Sequence, residues 1–148
     1  MVGELFDVVP DAWQEEALAK FPTSSRICMK ACTGPGKTAV LAWMGWNFAL
    51  TRPQSIVGVT SISADNLRSN LWTELARWYA KSPLLQNKFE MTKTLIYARE
   101  YPQTWQMQAR TWAKDAAPDQ IGNALRGLHS EYVMWLLDES GNYPDAIM

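Results

Sequence analysis

One stretch decides the fold class of this 148-residue chain: Ala31-Cys32-Thr33-Gly34-Pro35-Gly36-Lys37-Thr38. It matches the pattern G-x-x-x-x-G-K-[ST] except at its first position, where Ala31 replaces a glycine. Gly34 and Gly36 allow the backbone to curl, so that successive N–H groups can point at phosphate oxygens. We therefore expect a phosphate-binding loop in this stretch.

The residues on either side of the loop have the patterns of a strand and a helix. Arg26–Ala31 is predicted to be the first strand, and the apolar run Thr38–Thr51 is predicted to be a helix that Pro53 stops. The motif requires a strand before the glycines and a helix after them. This setting supports a phosphate loop more strongly than the tripeptide Gly-Lys-Thr does by itself, since such a tripeptide also occurs as a surface turn.

The remainder of the chain alternates helical and strand patterns. Helices are predicted at Asp11–Lys20 and Ser63–Ala80, the second closed by Pro83, and strands at Gln54–Thr60, Phe89–Ala98, Thr104–Ala113 and Tyr132–Leu137. The last of these strands is a run of apolar residues, which suits a parallel strand covered on both faces. The alternation predicts an α/β domain with a mainly parallel sheet flanked by helices and with its chemistry at the carboxyl ends of the strands.

Two acidic residues, Asp138 and Glu139, follow the last predicted strand. Taken alone, an acidic pair after a strand is usually a solvated turn. Combined with the phosphate loop, the pair is predicted to complete a nucleotide-hydrolysing site. Asp138 would orient Mg²⁺ through water, and Glu139 would polarise the attacking water as a general base.

The loop supplies the other predicted site residues. Lys37 would reach the β and γ phosphates, and the Thr38 hydroxyl would bind Mg²⁺. Gln14, in the helix before the loop, could match the N6 and N7 edge of adenine with its amide or simply face solvent. Arg126 could stabilise γ-phosphate charge as an arginine finger, or it is an ordinary surface arginine. His129, the one histidine, is more simply a structural residue than a catalytic one.

Composition excludes several classes of protein. With 14 basic and 15 acidic residues the net charge is -1, so DNA binding must be local or supplied elsewhere. Cys28 and Cys32 have no accompanying Cys or His cluster, which argues against a disulfide framework or a zinc site, and both are predicted to be small buried side chains. The longest apolar run, Ala39–Leu50, is too short to span a bilayer, and the acidic N-terminus does not have the form of a signal peptide. We therefore expect a cytosolic protein that does not enter a membrane.

Four segments together resemble the ATPase domain of the large terminase subunit of tailed bacteriophages, the motor that packages viral DNA. They are Trp13-Gln14-Glu15-Glu16, Ala31–Thr38, Val59-Thr60-Ser61 followed by Leu71–Leu75, and Gly127-Leu128-His129 leading into Leu136–Gly141. The fourth segment discriminates best between families.

The resemblance implies a P-loop NTPase of the RecA/ASCE type with ATP and Mg²⁺ as cofactors. By this similarity Gln14 matches the adenine-contacting position, and Asp138 and Glu139 match the metal and water-activating positions. The nucleotide-binding positions are Thr33, Gly34, Pro35, Gly36, Lys37 and Thr38, of which Lys37 and Thr38 match the phosphate and Mg²⁺ positions. Double-stranded DNA, a portal protein, a small terminase subunit and a homo-oligomeric ring are the implied partners, in the cytoplasm of a bacterial host.

Two departures from the family pattern modify this expectation. No basic residue lies between Ala31 and Gly36, so a loop-borne arginine cannot be assigned. The chain also stops at Met148, soon after the acidic pair. We therefore expect residues 1–148 to be the N-terminal part of a P-loop ATPase domain, C-terminally truncated and without the nuclease domain, so that endonuclease activity is expected only of the parent protein.

Two other functions fit the same motifs. A superfamily 2 helicase or translocase shares the phosphate loop, an upstream Gln and the Asp-Glu pair, although Gly127-Leu128-His129 and the helix around Leu71–Leu75 favour a terminase. A non-catalytic nucleotide-binding or assembly module is the second alternative. Turnover and nucleotide affinity, measured separately, distinguish that module from an ATPase.

Overall fold

The computed structural model describes residues 2–30, 36–61, 63–111, 117, 119, 120, 123 and 127–138. Within them the α-helices are α1 (Val2–Phe6), α2 (Ala12–Lys20), α3 (Lys37–Thr51), α4 (Ala64–Asn66), α5 (Trp72–Lys81) and α6 (Pro83–Lys88). The strands are β1 (Ile56–Thr60), β2 (Phe89–Met91), β3 (Leu95–Ala98), β4 (Gln106–Ala109) and β5 (Val133–Leu137).

The strands form one mixed sheet in the order β2-β3-β4-β1-β5. β1 pairs in parallel with β4 on one side and with β5 on the other, whereas β3 pairs antiparallel with β2 and β4. The predicted α/β class is confirmed, but the sheet is less parallel than expected. Phe89–Ala98, predicted as one β stretch, turns back on itself, and Thr92 N–H donates to the carbonyl of Leu95 at 2.7 Å to close the turn.

The core lies between one face of this sheet and the helices α3 and α5. Val57 and Val59 of β1 are fully buried on that face, as is Met107 of β4. α3 crosses close to the strands at Gly45, where an added Cβ would sit 2.7 Å from Cδ1 of Leu136. The apolar composition of α3 follows from this position, since eight of its residues are buried.

Tryptophan indoles fill this core and also link its elements by hydrogen bonds. Three Nε1–H groups donate to backbone carbonyls of other elements or turns: Trp46 to Leu75 at 3.2 Å, Trp72 to Thr92 at 3.1 Å and Trp105 to Ala49 at 2.9 Å. A buried indole N–H costs free energy unless it has an acceptor. These three indoles therefore both pack the core and satisfy their N–H groups, whereas the buried Nε1 of Trp43 has no partner among the described residues.

The long predicted helix forms, with one irregular turn. Residues 64–81 are helical throughout, and Leu67–Leu71 are one turn of π-helix between α4 and α5. Leu71 and Leu75 are fully buried, as the spacing predicts. The helix ends at Lys81, before Pro83, as predicted. A separate short helix, α6, then begins at Pro83, and the Oγ of Ser82 caps it by accepting the N–H of Leu85 at 3.4 Å.

The predicted first strand is not formed within the described residues. Residues 26–30 of the predicted strand Arg26–Ala31 belong to neither a sheet nor a helix, although Ile27 and Met29 pack against the core. A strand needs a neighbour for its backbone groups, and none of the described strands pairs with this segment. Cys28, predicted to be buried, is exposed, because it lies between Ile27 and Met29, whose side chains pack against the core.

The last predicted strand is observed as β5, but at an edge of the described sheet rather than inside it. Leu136 is buried, whereas Met134, Trp135 and Leu137 are half-buried and Val133 is 38% exposed. The prediction that this strand is covered on both faces is therefore wrong for the part of the chain described. No helix among the described residues has the length and apolar character needed to cross a bilayer.

Candidate functional site at the carboxyl edge of the sheet

The phosphate-loop motif ends where α3 begins. Gly36 is the N-cap residue, with a left-handed backbone at φ +85° and ψ +22°, a conformation that glycine adopts without strain. Its carbonyl accepts the N–H of Val40 at 3.2 Å, which closes the first turn. Lys37 and Thr38, both half-buried, are the first two residues of the helix. The N–H groups of this first turn and the helix dipole make the position suitable for an anion.

Connectivity places this helix start at the carboxyl edge of the sheet. α3 ends at Thr51 and β1 begins at Ile56, so the helix runs antiparallel to β1 and to the parallel strand β5. Gly45, near the middle of α3, lies against Leu136, which is one residue before the end of β5. From there Lys37 is about 12 Å along the helix. It lies in the direction of the carboxyl end of β5.

Asp138 lies at that carboxyl end. Its backbone N–H donates to the carbonyl of Thr60 at 3.1 Å, which continues the pairing of β5 with β1. The residue is 7% exposed. A carboxylate this buried must be compensated by partners within the chain or by a cation. The predicted phosphate-binding helix start and the predicted metal-binding carboxylate are therefore brought to the same edge of the sheet.

Two hydroxyl groups at the same edge were not predicted as site residues. Thr60 is fully buried and Ser61 is 1% exposed, at the end of β1 beside Asp138. Their Oγ atoms have no hydrogen-bond partner among the described residues. Buried polar atoms without partners are costly, but Ser55 before β1 and Trp43 in the core have the same feature, so it does not by itself mark a ligand site. The sequence signal was present in Val59-Thr60-Ser61, where polar residues follow an apolar strand directly.

Gln14 lies against the helix start rather than in solvent. It is 7% exposed, so the alternative that it faces water is wrong. Its Nε2 donates to the carbonyl oxygen of Gly36 at 3.5 Å, and its Oε1 accepts the backbone N–H of Asp11 at 2.8 Å. The helix upstream of the loop is thereby attached to the loop's last glycine.

The other predicted site residues lie outside the described residues. They are Thr33, Gly34 and Pro35 of the loop, Arg126, and Glu139. Their roles stay predictions from the sequence. Among the residues that the structure does describe, no group of three or more His, Cys, Asp or Glu side chains is placed to hold a metal ion.

A concave region lies at the opposite edge of the sheet, where the parallel strands begin. It has a volume of about 580 Å³ and is lined by residues that precede β1, β4 and β5, including Gln54, Gln103, His129 and Tyr132. His129 is exposed there. Because this cavity adjoins the amino ends of the parallel strands, it is separate from the site that contains Asp138.

The basic residues on and after the long helix are mostly engaged with neighbours. Lys81 lies over the ring of Trp78 at 4.6 Å, and Lys88 lies over the ring of Trp105 at 4.7 Å. Arg77 pairs with Glu74, whose other carboxylate oxygen accepts the indole N–H of Trp78. These contacts account for the lysines and the arginine without a nucleic-acid partner.

Comparisons of this chain with protein-family models, with curated proteins and with solved structures find no match. What the site does must therefore be inferred from its own residues and their placement.

Proposed function

We propose that this chain is the ATP-hydrolysing part of a phage DNA-packaging motor, the large terminase subunit. One observation carries the proposal: the start of α3 at Gly36-Lys37-Thr38 and the buried carboxylate of Asp138 lie at the same edge of the sheet. A P-loop NTPase requires this juxtaposition, since one element binds the phosphates and the other orients the metal. The mixed α/β sheet is compatible with that fold.

The residues present fit ATP and Mg²⁺. Lys37 and the N–H groups at the start of α3 offer positive charge to the phosphates, and Gly36 supplies the left-handed backbone that precedes the helix. The Thr38 hydroxyl and the Asp138 carboxylate are the oxygen donors that Mg²⁺ prefers, with water completing its shell. When bound, the metal would neutralise phosphate charge. Glu139 is proposed to accept the proton of the attacking water.

The proposed cellular setting follows from the resemblance of the sequence to large terminase subunits. A ring of such subunits would work at the portal protein of an empty capsid, in the cytoplasm of the bacterial host, with a small terminase subunit selecting the viral double-stranded DNA. The net charge of -1 agrees with a chain whose contact with DNA is local or shared with neighbouring subunits.

The first experiment measures nucleotide affinity and turnover separately on the wild-type chain and on Lys37→Ala. We expect ATP binding to weaken roughly ten- to hundredfold, because a charge-assisted contact with phosphate is lost. Lys93→Ala is the matched control, since Lys93 is exposed in the turn between β2 and β3. Equal ATP affinity in the wild-type chain and Lys37→Ala would refute the assignment of the phosphate loop.

The second experiment separates an ATPase from a nucleotide-binding module. We expect Glu139→Gln in the complete protein to retain ATP affinity and to lose turnover, because the amide cannot accept a proton from water. Unchanged turnover in Glu139→Gln would rule out Glu139 as the base. Tight binding with no turnover in the wild-type chain would favour the non-catalytic module.

The third observation separates a terminase from a helicase. Coding sequence downstream of residue 148 that contains a carboxylate cluster of nuclease type supports the terminase. A second ATPase-like domain with arginine fingers in that position would instead support a superfamily 2 helicase and overturn the proposed motor.

A further inference from the structure

The carboxamide of Gln14 is engaged within the chain at both ends. Oε1 accepts the backbone N–H of Asp11 at 2.8 Å, and Nε2 donates to the carbonyl oxygen of Gly36 at 3.5 Å. An amide that reads adenine must present a donor and an acceptor together to the base. With 7% of the residue exposed, little of this amide is accessible for such a contact.

The Cα of Gly36 packs directly against the carboxamide of Gln14. A Cβ added to Gly36 would lie 2.7 Å from Nε2 of Gln14, so the amide occupies the space that a side chain would need. The Gly36 carbonyl also accepts the N–H of Val40 in the first turn of α3. A carbonyl oxygen has two lone pairs. One is used within α3, and the Nε2 of Gln14 approaches the other at 3.5 Å, a long hydrogen bond that brings α2 against the last residue of the loop motif.

We propose that Gln14 is a positioning residue for the phosphate loop, holding Gly36 and the start of α3 in place, rather than a reader of the adenine base. The inference rests on the proposed function, because it concerns the same nucleotide site. It has a consequence that base recognition does not have. Gln14 contributes equally to the binding of every ligand with a triphosphate, and selectivity for the base comes from other residues.

The test compares Gln14→Met with the wild-type chain for three ligands: ATP, GTP and inorganic tripolyphosphate, each with Mg²⁺. Methionine has a similar length, adds no charge and cannot donate to Gly36. We expect all three dissociation constants to rise by the same factor, about three- to tenfold for the loss of one hydrogen bond. The ratio of the ATP constant to the GTP constant is expected to stay unchanged.

Two controls separate positioning from other effects. Gln103→Met makes the same substitution at an exposed residue beside the amino ends of the strands, and it should leave all three affinities unchanged. Trp105→Phe removes the buried hydrogen bond to Ala49 and lowers the stability of the core. Unchanged affinities in Trp105→Phe show that a loss of stability alone does not weaken binding.

The outcomes separate the two proposals. A loss confined to ATP, or no loss for any ligand, would overturn the positioning role while leaving the nucleotide site intact. A wild-type chain that binds none of the three ligands would overturn the proposed function, before any variant is measured. If circular dichroism shows that Gln14→Met is unfolded, Gln14→Asn is measured in its place, because its shorter amide cannot span the same two contacts, and the same criteria apply.

Discussion

The contact between Gly58 and Trp135 gives a sharp test of how β1 and β5 are packed. The two residues are register partners in the parallel pair, and the indole of Trp135 covers the glycine. A Cβ added to Gly58 would lie 2.7 Å from Cη2 of Trp135 and closer still to Cε3 and Cζ3. Ordinary carbon contacts are about 3.5 to 4.0 Å, so Gly58→Ala must displace the ring by roughly 1 Å or more.

The magnitude follows from two opposing effects. Overpacking of this kind costs about 1 to 3 kcal/mol. Replacing glycine by alanine within a strand recovers about 0.5 to 1 kcal/mol of conformational free energy. We therefore expect Gly58→Ala to lower the free energy of unfolding by about 1 to 2 kcal/mol. Trp135 is only half-buried, so the ring can swing outward, which keeps the cost near the lower end of that range.

A double-mutant cycle isolates the steric cause. In a Trp135→Ala background the ring is gone, and Gly58→Ala should then be neutral or stabilising by up to about 1 kcal/mol. Urea unfolding followed by far-UV circular dichroism measures all four chains without relying on tryptophan fluorescence. Equal destabilisation by Gly58→Ala in both backgrounds would refute the steric reasoning, because the cost would then have nothing to do with the indole.

Three further changes probe the core and the site edge. Gly45→Ala should lower the free energy of unfolding by about 1 kcal/mol despite the better helix propensity of alanine, because its Cβ would crowd Leu136 in the closely packed core; a higher melting temperature would contradict this. Thr60→Val should raise the free energy of unfolding by about 1 kcal/mol, since the substitution removes a buried hydroxyl without a partner among the described residues. A lower stability of this variant in urea would mean that the hydroxyl is bonded. Trp105→Phe should cost at least about 1 to 3 kcal/mol because the carbonyl of Ala49 loses its donor, and unchanged unfolding in guanidinium would count against that bond.

The sequence predicted those elements whose signal is local. The helix at Ser63–Ala80 was found from its apolar spacing, and β1 from a short apolar run between turn signals. The start of α3 was found from the glycines and lysine of the loop. In each case the residues that define the element are neighbours along the chain or lie one helical turn apart.

The strand predictions that fail have two different causes, a missing partner strand in one case and a local turn in the other. Residues 26–30 have a strand pattern, but a strand exists only where another strand pairs with it. The hairpin within Phe89–Ala98 requires the side chain and backbone of Thr92 to close a turn, for which the sequence gives no strong signal.

The candidate site likewise contains residues that the sequence predicts and features that it could not predict. Gly36, Lys37 and Asp138 are predicted as site residues from residue type and spacing, and their role in a nucleotide site stays a prediction. The burial of Thr60 and the direction of the Gln14 amide could not be predicted, because both depend on how separate elements pack together.

The indole hydrogen bonds have a mechanical consequence for α3. Trp46 of α3 donates to the carbonyl of Leu75 in α5, and the carbonyl of Ala49, one turn later in α3, accepts the indole N–H of Trp105. A slide of α3 by one residue moves its backbone about 1.5 Å, which is enough to break both bonds within a dry core. These two bonds therefore hold the carboxyl-terminal half of α3 in register with α5 and with the turn before β4, whereas neither of them contacts the first turn, which begins at Lys37.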